Sequence, residues 1–195
     1  MRTGFHGKCV VALVTAVLGP AGVAHAQQSP VVVLSPPSEA TLAERGIVTF
    51  SLTNPTEERM AVVTFETPFA IADDRLAGPE FEVSDATGHQ LPYEGRQVRF
   101  GPPDASTFLI IGPHQTIRKN VDLAADYDIQ AGGAYNVTYA RTLRLLRASG
   151  VEKVKDIGPD EEIPFQAVRS NTLTIWINDA LMTGTAAPIL DAGRR

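Results

Sequence analysis

Gly133-Ala134-Tyr135-Asn136-Val137-Thr138-Tyr139 is the stretch that decides the fold. Tyr135, Val137 and Tyr139 alternate with Asn136, Thr138 and Ala140, the period-two signature of a half-buried strand. Tyr135 follows Gly132-Gly133 and fits the corner of a sandwich, where a phenol bonds back to the preceding loop. The same pattern recurs outward in both directions. Residues 46–53 alternate at Val48, Phe50 and Leu52, and residues 60–65 are apolar and β-branched. Residues 80–84 alternate at Phe81 and Val83, and Val98 and Phe100 alternate with Gln97 and Arg99. Residues 107–111 form a short apolar run, and Ile117, Val121 and Leu123 mark a further strand. Leu173, Ile175 and Ile177 alternate with Thr172, Thr174, Trp176 and Asn178.

Turn residues punctuate these runs at Asn54-Pro55, Thr67-Pro68, Thr87-Gly88, Glu94-Gly95, Gly101-Pro102-Pro103, Gly112-Pro113 and Gly132-Gly133. Many short strands at this spacing predict an all-β, Ig-like antiparallel β-sandwich of about seven to nine strands over residues 31–178. The cystine pair of antibody domains is absent. Residues 141–170 read as one long insertion before the last strand. Its first part, 141–149, is compatible with a helix, a continued strand or an exposed hairpin arm. Its second part carries a polar turn at Gly158-Pro159-Asp160-Glu161-Glu162.

The chain has 195 residues, enough for one ordinary domain. It is 44% hydrophobic and 20% charged, so a packed core is expected rather than disorder. Residues 1–26 read as a signal peptide. Arg2 and Lys8 form a basic start, an apolar run follows, and Ala24-His25-Ala26 supplies small residues at a cleavage point. That run is too short for a membrane span, which takes about 20 residues. Residues 27–30 read as a short linker and 179–195 as a disordered tail. Cleavage takes two of the 17 basic residues and none of the 22 acidic ones, so the formal charge falls from -5 to -7. It also removes Cys9, the single cysteine, and with it thiol chemistry. The expected product is exported, either periplasmic or secreted, with no integral membrane segment. Its acidity argues against a nucleic-acid partner.

Catalytic patterns are missing. The chain has no His-Glu-x-x-His and no Gly-x-Ser-x-Gly, and His89 and His114 each sit in a Gly/Pro-marked turn. The paired acids Asp73-Asp74 and Glu161-Glu162 read as solvated turns. No enzyme activity, cofactor or metal is expected. A calcium ion at Asp156, Asp160, Glu161 and Glu162 is the one metal reading considered, against a hydrated acidic loop; the spacing is not that of an EF-hand. Arg141, Arg144, Arg147, Lys153 and Lys155 are the most distinctive charges, read either as a contact for an acidic partner or as a charged hairpin that blunts a sheet edge. Trp176 falls on the face opposite Ile175; it reads either as packed beneath another element or as an exposed anchor of a binding surface, with packing preferred.

One resemblance adds functional content. It rests on Asn54, Thr67-Pro68, Phe81-Glu82-Val83 with Gly88, and Leu91-Pro92-Tyr93-Glu94-Gly95-Arg96 with Val98-Arg99. Val121-Asp122-Leu123, Tyr127-Asp128, and Gly133, Tyr135, Val137 and Tyr139 complete it. Over residues 31–178 the chain resembles the non-catalytic, propeptide-like N-terminal domain of deuterolysin-type and peptidyl-Lys zinc metalloendopeptidases. The family's zinc domain is missing, so no catalytic residue carries over. The resemblance implies a free-standing module that binds another extracytoplasmic protein, as inhibitor or chaperone of a metalloprotease. The alternative is a structural or accessory envelope protein with no protease partner.

Overall fold

The computed structural model describes residues 28–158 and 160–178. The signal segment 1–26, the tail 179–195, residue 27 of the linker and Pro159 of the polar turn lie outside the described residues. The described residues form nine strands: β1 (Val31–Ser35), β2 (Ile47–Thr53), β3 (Met60–Val63), β4 (Phe81–Asp85), β5 (Phe108–Ile111), β6 (Thr116–Asp122), β7 (Ala134–Arg147), β8 (Phe165–Arg169) and β9 (Leu173–Trp176). They make two antiparallel sheets. One has the order β1-β2-β6, and the other has six strands gathered on β7.

The 14-residue β7 is the spine of the larger sheet. Its first half pairs with β4 on one side and β9 on the other; its second half pairs with β3 and β8. Tyr135, Val137, Tyr139, Leu143 and Leu145 share one side of this strand and are buried. Val48, Phe50 and Leu52 of β2 and Val121 of β6 join them in one hydrophobic cluster that spans both sheets. Phe50 lies at its centre. Its ring meets Tyr139 at 4.9 Å, Phe69 at 5.7 Å and Phe81 at 6.3 Å, all edge to face.

The proposed corner forms. The Tyr135 hydroxyl donates to the Gln130 carbonyl at 3.0 Å and accepts from the Gln130 amide at 2.9 Å. A Cβ on Gly133 would come within 2.9 Å of the Tyr135 ring, so glycine is what lets the phenol fold back. Tyr135→Phe is expected to destabilise the fold by about 1–2 kcal/mol, because both Gln130 backbone groups lose their partner; urea denaturation measures it.

The structure decides one open alternative and changes two expectations. Residues 141–147 are the continued strand, extending β7, because Leu143 and Leu145 keep the parity of Tyr139. Residues 141–169 thus form a long hairpin: β7 climbs, a short helical tip follows (α1, Ser149–Glu152, then a 3₁₀ turn at Lys153–Asp156), and β8 returns. Residues 97–100 are not a strand. Val98 donates one backbone bond to the Ala77 carbonyl at 2.8 Å, and Val98 and Phe100 are both exposed, so alternation there has no partner strand. Trp176 is not covered; it is 62% exposed on the outer face of the larger sheet.

The link between β8 and β9 ties the sheets together. The Asn171 side chain accepts from the Leu34 amide at 2.9 Å and donates to the Leu34 carbonyl at 3.0 Å. One amide thus imitates a neighbouring strand at the margin of β1. No helix among the described residues is long and apolar enough to cross a membrane.

Candidate functional site

Tyr93, Gly95, Arg96 and Tyr127 come together with Phe81, although they lie far apart in sequence, whereas Asn54 bonds the Glu58, Ile111 and Gly112 carbonyls elsewhere. Tyr93 and Tyr127 form an isolated antiparallel bridge, and their rings meet edge to face at 5.3 Å. Burial pushes the Tyr93 phenol up to about 12, and its hydroxyl donates to the Arg96 carbonyl at 2.7 Å. The Tyr127 hydroxyl donates to the Phe81 carbonyl at 2.7 Å and accepts from the Phe81 amide at 3.0 Å. Arg96 grips the Asp73 carboxylate at 2.7 and 2.9 Å, and that contact holds the Asp73 carboxyl below its ordinary range. A Cβ on Gly95 would collide with the Asp126 carboxylate and the Tyr93 phenol. Thr67 caps the turn that Pro68 opens, accepting from the Phe69 amide at 3.3 Å. Pro92 and Asp128 are exposed. These contacts tie one loop to another, so the residues form a lock between loops.

Asp126, which no motif flagged, is the centre of that lock. Its carboxylate is fully buried and accepts from Arg75 Nε at 2.8 Å, Arg75 Nη2 at 2.6 Å and the Leu76 amide at 2.8 Å. The charge-assisted bonds raise the Arg75 guanidinium further. Its carbonyl also accepts from the amides of Glu94 and Gly95.

The five cations do not form one patch. Spacing of three along a strand alternates faces, so Arg141 and Arg147 share the side of Tyr139 while Arg144 stands on the opposite side. Arg141 Nη1 donates to the Pro79 carbonyl at 3.2 Å. Arg147 is half-buried; burial lowers its guanidinium, and its Nη2 has no partner among the described residues. Lys153 and Lys155 sit exposed at the hairpin tip.

Arg144 is the exception that assembles something. Its backbone amide and its Nε both donate to the Glu66 carboxylate at 2.5 Å. Its guanidinium lies 5.4 Å from the Phe65 ring and 6.0 Å from the Phe165 ring. Phe65 in turn stacks on Phe100 at 4.8 Å with planes only 8° apart. The result is a ladder, Phe100–Phe65–Arg144–Phe165, and Phe165 is 69% exposed at its end. Trp176 stands on the same outer face. It pairs with Ala134 while Phe165 pairs with Arg144, ten positions further along β7. At the usual strand rise that is about 33 Å. Between them lie the Thr174–Asn136 and Thr138–Thr172 bonds, at 2.7 and 2.9 Å, and the Arg169–Glu82 ion pair at 2.9 Å. A shallow open trough of about 660 Å³ follows the β7–β8 pair, bordered by Ala140, Arg141, Thr142, Ala167, Val168 and Arg169.

Among the described residues no three His, Cys, Asp or Glu side chains gather as a metal-holding group. Asp156, Asp160, Glu161 and Glu162 are exposed. His114 pairs with Glu57 at 3.0 Å, and His89 stands in a separate turn beyond β4. The outer face of the larger sheet thus carries a large exposed aromatic towards each end. No protein-family profile matches the chain, and no curated protein matches it.

Proposed function

We propose that the chain is an exported, non-catalytic, Ig-like protein-binding module whose contact surface is the outer face of the larger sheet along β7, β8 and β9. One observation carries the reading: Phe165 and Trp176, both well over half exposed, stand on that face, and Phe165 abuts the guanidinium ladder. Single exposed apolar residues are ordinary. A large exposed aromatic towards each end of one sheet face, one of them beside an arginine, matches the residue types of interface anchors. Of the strands, β8 and β9 ladder with β7 alone, and their link is held to β1 by Asn171, so the surface offered is the sheet face. The Tyr135 corner supports the Ig-like topology.

The partner we propose is an extracytoplasmic zinc endopeptidase, which the module inhibits or chaperones by covering its cleft. The propeptide-like resemblance supports this choice. The test is a crosslinked pull-down from the native extracytoplasmic fraction, followed by inhibition kinetics with the captured enzyme. Phe165→Ser and Trp176→Ser are each expected to weaken binding and inhibition roughly 30-fold, in line with truncation of an interface anchor. Thermal stability should hold within about 0.5 kcal/mol, because both side chains are exposed. Capture of envelope proteins with no peptidase would sink the protease reading and favour an accessory role. Full inhibition by both variants would place the contact elsewhere.

A further inference from the structure

We propose that residues 64–80 are a strap whose grip on the two sheets is set by whether Glu80 holds its proton. The strap crosses from the end of β3 to the start of β4 with only two 3₁₀ turns of its own, Thr64–Glu66 and Pro68–Ala70. Charged side chains supply most of its fastening. Lys119 of β6 donates to the carbonyls of Pro68 and Ile71, the first at 2.7 Å. Arg96 holds Asp73, Asp126 holds Arg75 and the Leu76 amide, and Arg141 holds the Pro79 carbonyl. At the other end Tyr139 donates to the Glu66 carbonyl at 2.9 Å, and Arg144 binds the Glu66 carboxylate.

Glu80 closes the strap and is its weak point. Its side chain is buried in a residue only 4% exposed, and its Oε2 has no hydrogen-bond partner among the described residues. Lys119 faces it from β6, Arg141 and Tyr139 from β7, Asp126 and Tyr127 from the loop between those strands, Tyr93 from the lock, and the Ala77 amide from the strap itself. Burial outweighs the two cations and pushes the carboxyl up to about 7. A neutral carboxyl tolerates that site. A carboxylate with an orphan oxygen does not, and opening the strap would bring it water.

The sign follows from linkage. The folded value lies above the ordinary 4.5, so the strap is tightest with respect to this group below pH 4.5. Grip is lost as pH rises towards 7 and changes little beyond. Because the strap carries Phe65 and Glu66, its release would also unseat Arg144; that last step alone rests on the contact-surface reading, and the test below involves no partner.

Hydrogen exchange on the purified protein tests the strap directly, with rates corrected for the chemical pH dependence of exchange. Between pH 5.5 and 8, amides of the strap, the Leu76 amide foremost, should open roughly tenfold more often, while those of β2 stay level. Glu80→Gln should hold the strap level across the range. A flat wild-type profile, or the same rise in Glu80→Gln, would overturn the proposal. Should Glu80→Gln fail to fold, a carbon-13 titration of the wild-type glutamate carboxyls decides instead. One carboxyl with a midpoint between pH 6 and 8 supports the strap; all midpoints between 4 and 5 overturn it.

Discussion

Asp126→Ala is expected to destabilise the protein by about 3–5 kcal/mol, the range for breaking a buried ion pair from one side. The Asp126 side chain is fully buried, whereas Arg75 is 42% exposed and can turn back to water. The loss therefore falls mainly on the Leu76 amide, which is left buried without its acceptor, and on the two charge-assisted bonds. The effect should spread, because the same loop fixes Glu94 and Gly95 and so the Tyr93–Tyr127 bridge. Asp126→Asn keeps the shape and one acceptor for Leu76, and should cost less than half as much. Urea denaturation of both variants checks the order. Equal losses would mean that packing, not hydrogen bonding, holds this loop.

Phe50→Ala should cost a similar amount, about 3–5 kcal/mol, for a different reason. Phe50 is fully buried on the central strand of the smaller sheet, yet its ring touches Phe81 and Tyr139 of the larger sheet and Phe69 of the strap. Removing it opens a void that three separate elements would have to fill, and rigid strands collapse poorly into such space. Phe50→Leu refills most of the volume and should lose about 1–2 kcal/mol. Thermal unfolding should stay a single transition in both, since the two sheets share one cluster.

Legibility in the sequence follows strand physics. β7 and its corner could be read because Tyr135, Val137 and Tyr139 face one buried side and polar residues the other. β1 and β8 were harder. Val31-Val32-Val33-Leu34 is continuously apolar, with Val31 and Val33 exposed and Val32 and Leu34 buried. β8 hides its signal differently: Phe165 is its largest apolar residue but faces out, and only Val168 is buried. That the five cations spread over a hairpin has a geometric reason. A spacing of three puts residues on one face of a helix, but on alternate faces of a strand. The alternation of residues 80–84 puts Glu80 with Glu82 on the exposed side, but β4 begins only at Phe81, and Glu80, at the end of the strap, is buried. Phe65 and Phe100 meet only because the strap returns over the 97–100 loop, a contact that no local pattern encodes.

The contact surface itself is tested most directly by placing a photo-crosslinking residue at Phe165, at Trp176, and at the smaller-sheet controls Val33 and Arg118, then irradiating the native extracytoplasmic fraction. The account predicts one discrete adduct, of the same partner, from the Phe165 and Trp176 positions and none from Val33 or Arg118. Adducts from the smaller sheet alone, or from no position, would contradict it.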